Sequence, residues 1–86
     1  MAARRVTRRT LERLEEDVNR LLDNVKVQVG SRYGYYALDY CLVSNYDPAL
    51  KRCRLVDGTL VAGLSARELA DFLEGMRELL LREKRR

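Results

Sequence analysis

Residues 30–43, Gly-Ser-Arg-Tyr-Gly-Tyr-Tyr-Ala-Leu-Asp-Tyr-Cys-Leu-Val, constrain the fold more than any other stretch. Aromatic and apolar residues at this density favour extended backbone, and the paired glycines ahead of them mark a loop. Four of the five tyrosines lie here. One face of one strand has no use for so much aromatic surface in its core. The surplus therefore either faces a ligand or packs at the rim of a small sheet.

The flanking residues supply the rest of that sheet. Val25-Lys-Val-Gln-Val29 alternates, which turns the valines to a core and Lys26 and Gln28 away from it. Residues 30–34 read as a loop and 35–43 as a second strand. Residues 44–50 read as a turn, since Asn45 and Pro48 oppose a ladder there. Residues 51–56 read as a third strand. Asp57-Gly58 is a strong signal for a two-residue hairpin. It would pair Leu55 with Leu60 and Cys53 with Ala62 on one face, and set Arg52, Arg54, Thr59 and Val61 on the other.

Two amphipathic segments bracket the strands. Over 10–24, Leu11, Leu14, Val18 and Leu21 follow a 3-4-3 spacing, with Thr10 as the expected cap and Asp23-Asn24 as the stop. After Ser65, which forms a capping box with Glu68, the stripe is Leu69, Phe72, Leu73, Met76, Leu79 and Leu80. The predicted fold is α+β, of order α-β-β-β-β-α, with an antiparallel four-stranded sheet and two helices on one face. A basic arm over 1–9 and a basic tail over 82–86 flank a single domain over 10–81. The first stripe packs on the sheet or pairs with its copy, and the second is wide enough to cover the sheet and still serve a subunit contact, so a homo-oligomer through helices 10–24 and 66–81 is expected.

At 86 residues and 47% hydrophobic content the chain has room for one folded domain. No apolar run approaches the roughly 20 residues that span a bilayer, and no apolar segment follows the first arginines as a secretory signal requires. The expected location is cytoplasmic. Cys41 and Cys53 lie on strands expected to be neighbours; two buried thiols are expected, with a single bridge as the alternative. There is no histidine, no metal-ligand cysteine spacing, no glycine-rich phosphate loop and no nucleophile beside a base. No enzyme, cofactor or metal is expected.

The net charge of +4 is unevenly placed. Both helical segments are acidic, whereas the strand region and both ends are basic. That pattern suits a polyanion docking on the sheet, although simple solvation produces it too. The open sheet face would carry Lys26, Gln28, Arg52, Arg54 and Thr59. In one register Tyr36, Leu38, Tyr40 and Leu42 are core and Tyr35, Ala37, Asp39 and Cys41 face out. In the other, Cys41 opposes Cys53 on the core side and Tyr36, Leu38 and Tyr40 face out. The first hides more carbon and leaves Asp39 in water. In both, a tyrosine stands among cations, with Arg32 and Tyr33 in the adjoining loop and Tyr46 in the next. Unpaired bases stack on tyrosine while Lys and Arg meet phosphates. Lys26, Arg32, Arg52 and Arg54 with Tyr33, Tyr35, Tyr36 and Tyr40 form the expected site.

The order of elements, the strands over 25–63 and the stripes on 11–25 and 69–80 resemble ThermoDBP, the archaeal single-stranded DNA-binding protein, and its small related proteins. That resemblance implies a thermophile's nucleic-acid-binding sheet and a leucine-zipper-like helix that oligomerises. Tyr33-Gly-Tyr-Tyr-Ala-Leu-Asp39, with Gly63-Leu-Ser-Ala-Arg-Glu-Leu69, is also similar to small phage proteins. Double-stranded RNA-binding domains share an α-β-β-β-α order but carry lysines where this chain has Ser65-Ala-Arg-Glu68. The expected function is binding of single-stranded DNA or RNA with little sequence preference. The alternative is a protein-interaction or assembly module.

Overall fold

A computed structural model describes residues 5–85. Residues 1–4 of the expected arm and Arg86 of the tail lie outside that range. The elements are α1 (Arg8–Leu21), β1 (Val25–Arg32), β2 (Tyr35–Leu42), β3 (Tyr46–Asp47), β4 (Arg52–Cys53), β5 (Gly58–Leu64) and α2 (Ala66–Lys84). A 3-10 turn over Val43–Asn45 joins β2 to β3. The class is α+β, but the sheet has three strands, in the order β1-β2-β5, and β3 and β4 form a separate two-stranded ribbon.

The four-stranded arrangement fails at Asp57-Gly58, which is no hairpin. Asp57 belongs to the end of β2: its N–H donates to the Tyr40 carbonyl at 2.9 Å, and its carboxylate accepts from Leu42 N–H at 2.8 Å. β5 therefore pairs with β2, Gly58 opposite Tyr40. Gly58 is needed for proximity, not for a turn. A Cβ there would lie 2.7 Å from the Tyr40 ring. Residues 43–57 leave the sheet instead, and Tyr46–Asp47 pairs with Arg52–Cys53 across the Pro48 turn. A short ladder thus does form ahead of Pro48.

Both helices are capped by their own sequence. Thr7, not Thr10, is the cap of α1. Its hydroxyl accepts from Thr10 N–H at 3.3 Å while Thr10 Oγ1 accepts from Thr7 N–H. The helix thus begins inside the expected arm. Ser65 and Glu68 make the expected capping box on α2. Leu11, Leu14 and Val18 of α1 join Leu69, Ala70 and Leu73 of α2 over Val27 and Leu38, forming the core on one sheet face.

The helices run parallel. Asp17 meets Arg77 at 3.2 Å and Asp23 meets Lys84 at 3.5 Å, so the two helices advance together in the same direction. Against the sheet, α1 runs antiparallel to β1 and closes its outer edge with side chains. Asn19 accepts from Val27 N–H at 2.8 Å and donates to the Val27 carbonyl at 2.9 Å. Glu15 accepts from Val29 N–H at 2.7 Å. Two polar side chains one turn apart thus stand in for a neighbouring strand, which protects an edge that would otherwise recruit another chain.

On β2 the first of the two registers holds in part. Leu38 is fully buried, and Tyr36 and Tyr40 pack half-buried on the core. Leu42, however, is exposed, and Ala37, Asp39 and Cys41 on the opposite parity are buried rather than wet. The excursion of residues 43–57 brings Cys53 onto Cys41, and Arg32 and Thr59 close over Asp39. Cys41 and Cys53 are joined in a disulfide, not two thiols, and Cys53 N–H donates to Gln28 Oε1 at 2.7 Å. No helix among the described residues is long and apolar enough to cross a membrane.

Candidate functional site

The topology gathers the exposed tyrosines and several arginines at one end of the molecule rather than on a sheet face. Asn19 is level with Val27 and Glu15 with Val29. A helix rises about 1.5 Å per residue and a strand about 3.3 Å. Continuing those rises sets Thr7 level with Tyr33 at the β1–β2 turn. β5 ends at Leu64 opposite Tyr36, and Ser65 caps α2 immediately after. Both helix N-termini therefore sit beside the tip of the β1–β2 hairpin. Arg5, Arg8 and Arg9 surround the start of α1, and Arg67 the start of α2. The two helix dipoles add positive potential at the same end.

The tip itself is Tyr33-Gly34, with Arg32 paired to Tyr35. Both turn residues have positive φ, 54° and 81°, as a tight two-residue hairpin turn of the primed kind requires. Glycine adopts this freely and asparagine readily, whereas a tyrosine does so at a cost of roughly 1 kcal/mol or more. Tyr33 recovers none of it by packing, being 101% exposed, and Tyr35 is 58% exposed. Two rings thus stand in solvent at the positive end of a basic protein.

The other expected site residues are dispersed. Tyr36 and Tyr40 belong to the core rim. The Lys26 ammonium donates to the Asn19 and Leu22 carbonyls at 2.6 and 2.7 Å and neutralises the end of α1. Arg52 and Arg54 are exposed on the disulfide-held excursion, Arg54 within 3.8 Å of Asp47. Neither accompanies the tyrosine tip. Arg32 does, but its guanidinium is engaged by Asp39 at 2.9 and 3.0 Å.

A second cluster escapes sequence reasoning altogether. Glu15 lies in a cleft of about 350 Å³ with Glu12, Glu16, Gln28, Lys51 and Arg52 among its walls. Burial pushes its carboxyl up to about 7, and Glu12 and Glu16 push the same way. The Val29 N–H bond and, more weakly, Arg8 oppose this. The neighbouring acids have cations of their own: Lys51 reaches Glu16 at 2.9 Å and Arg8 reaches Glu12 at 3.4 Å. Lys51 in turn holds Glu16 below the usual carboxylate range. Nothing in the helical spacing of Glu12, Glu15 and Glu16 separates the middle one. Its burial comes from the excursion, which periodicity does not foresee. Among the described residues no group of three or more Cys, Asp or Glu is placed to hold a metal ion.

Fold and site define a small basic α+β protein whose exposed aromatic rings crown one end of a helix-backed sheet. No protein-family model, curated protein or solved structure matches the chain.

Proposed function

We propose that the chain binds single-stranded nucleic acid at the hairpin end, with little sequence preference. Tyr33 and Tyr35 stack bases, and Arg5, Arg8 and Arg9 meet phosphates beside them. The observation that carries this reading is Tyr33, a fully exposed ring on left-handed backbone. Neither conformational preference nor packing accounts for a tyrosine there, and such outliers concentrate at functional sites. Stacking contributes about 1–3 kcal/mol per base and tolerates any base. With about three phosphates neutralised on a single strand, log K falls against log salt with a slope of about −2.

The test is anisotropy of a short labelled oligothymidylate titrated at several salt concentrations. Wild type binds at low salt with that slope, Tyr33→Ala with Tyr35→Ala removes most of the binding, and Arg52→Ala with Arg54→Ala leaves most of it. Absence of binding at low salt refutes the reading.

Self-association through α2 is the second reading. The apolar stripe of α1 lies in the core, but Phe72 and Leu79 of α2 remain exposed on the flank turned away from α1. A Leu79→Glu variant that leaves the sedimentation coefficient unchanged removes this reading.

A further inference from the structure

Directly beneath the tyrosine tip, one polar triad joins all three strands of the sheet. Arg32 is the last residue of β1, Asp39 lies in the middle of β2 and Thr59 near the start of β5. The Arg32 Nη2 donates to both Asp39 oxygens, at 3.0 and 2.9 Å, and Nη1 donates to Thr59 Oγ1 at 3.4 Å. Thr59 Oγ1 donates to Asp39 Oδ1 at 2.7 Å. Asp39 is only 4% exposed, and Gly30 leaves room for it, since a Cβ there would already stand 3.4 Å from Oδ2. Half of the Arg32 side chain remains exposed. By position alone it looks like a phosphate contact.

The ion pair argues otherwise. If Arg32 turned to a phosphate, a buried carboxylate would lose its cation, which is strongly unfavourable. The fork also fixes the last rung of the hairpin, because Arg32 pairs with Tyr35 and directly precedes Tyr33. We infer that Arg32 and Asp39 are positioning residues that hold the Tyr33–Tyr35 tip in place, and that Arg32 is withheld from phosphate. This rests on the nucleic-acid reading for its purpose but not for its structural content.

Two measurements separate the roles, using Arg32→Gln, Arg32→Lys and Asp39→Asn in the full chain. The first is amide hydrogen exchange of the free protein. Loss of the charge-assisted fork accelerates exchange over residues 31–36 by about tenfold or more, while the Val27 and Val29 amides held by α1 keep their protection. The second is oligothymidylate affinity against salt. Arg32→Gln and Arg32→Lys both weaken binding, yet the salt slope stays at its wild-type value because no phosphate contact is lost.

A slope reduced by about 0.7 in Arg32→Gln, with wild-type affinity in Arg32→Lys, overturns the inference, since charge alone would then suffice. Unchanged hairpin exchange in both Arg32 variants overturns it as well. Arg32→Lys keeps a cation beside the buried Asp39 carboxylate, so it folds even where Arg32→Gln, which leaves that carboxylate without one, does not. If wild type binds no oligonucleotide, the proposed function fails while the exchange comparison still decides the positioning role.

Discussion

Reducing the Cys41–Cys53 bridge isolates the contribution of the 43–57 excursion to stability. The two cysteines are 12 residues apart in sequence. Closing a loop of that size in the unfolded chain removes entropy equivalent to about 3 kcal/mol at 25 °C. The native contacts that remain after reduction include Cys53 N–H on Gln28, Val43 N–H on the Asn24 carbonyl, the Asp57 bonds to Tyr40 and Leu42, and the exposed Lys51–Glu16 pair. They hold the excursion in place but do not replace the covalent constraint on the unfolded state. The assay is urea unfolding followed by circular dichroism, with and without reductant, and repeated on Cys41→Ala with Cys53→Ala. At a urea slope of about 1–1.5 kcal/mol per M for so small a domain, reduction lowers the midpoint by about 2–3 M. The double alanine variant behaves like the reduced protein and no longer responds to reductant. A reductant-induced shift equivalent to less than about 1 kcal/mol, or a mass showing both thiols intact in the oxidised sample, refutes the reasoning.

Other perturbations follow from the same contacts. Burial disfavours the Glu15 charge and pushes its carboxyl from an ordinary 4.5 up to about 7 in the folded chain. A raised folded pKa means its stabilisation is complete below about 4.5 and is lost as pH rises through about 7. The full shift corresponds to about 3 kcal/mol, and residual solvent contact reduces that to about 1–2 kcal/mol. Glu15→Gln, which keeps the acceptor for Val29 N–H, is therefore more stable than wild type by that amount at pH 8 and equal to it at pH 4. A difference independent of pH contradicts this. Gly58→Ala drives a methyl into the half-buried Tyr40 ring, 2.7 Å from Cε1, and costs about 1–3 kcal/mol in urea unfolding. A Gly58→Ala variant as stable as wild type shows that the Tyr40 ring moves aside freely.

The sequence made parts of this legible for identifiable reasons. Both helices could be read because their stripes and capping residues are local, as with Ser65 and Glu68. The alternation of Val25, Val27 and Val29 likewise placed β1. Partnership of the strands was not local and went astray at Asp57-Gly58. That dipeptide has the composition of a hairpin turn, yet here it serves to bond Leu42 and to pass the Tyr40 ring. With the hairpin gone, Arg52 and Arg54 left the sheet and Cys53 came to Cys41, while Arg32 and Thr59 closed over Asp39. The tyrosines divided as a choice of parity predicts for Tyr35, Tyr36 and Tyr40. Tyr33 stays in the loop expected there, but that loop shrinks to a two-residue turn because β1 runs on to Arg32, past the Gly30 that resembled a loop start. The position of the α1 N-terminus beside that turn follows from its antiparallel course along β1, and that of α2 from β5 ending opposite Tyr36. Asn19 and Glu15 set that course through bonds to backbone, and no side-chain periodicity encodes them.

The most direct test of the account is a chemical-shift map of the isotopically labelled chain titrated with a short oligothymidylate at low salt. Binding at the hairpin end predicts the largest amide changes at residues 32–36, with smaller ones at 7–9 and 65–67. Changes centred on Lys26, Arg52 and Arg54 instead, or none at saturating oligonucleotide, contradict it.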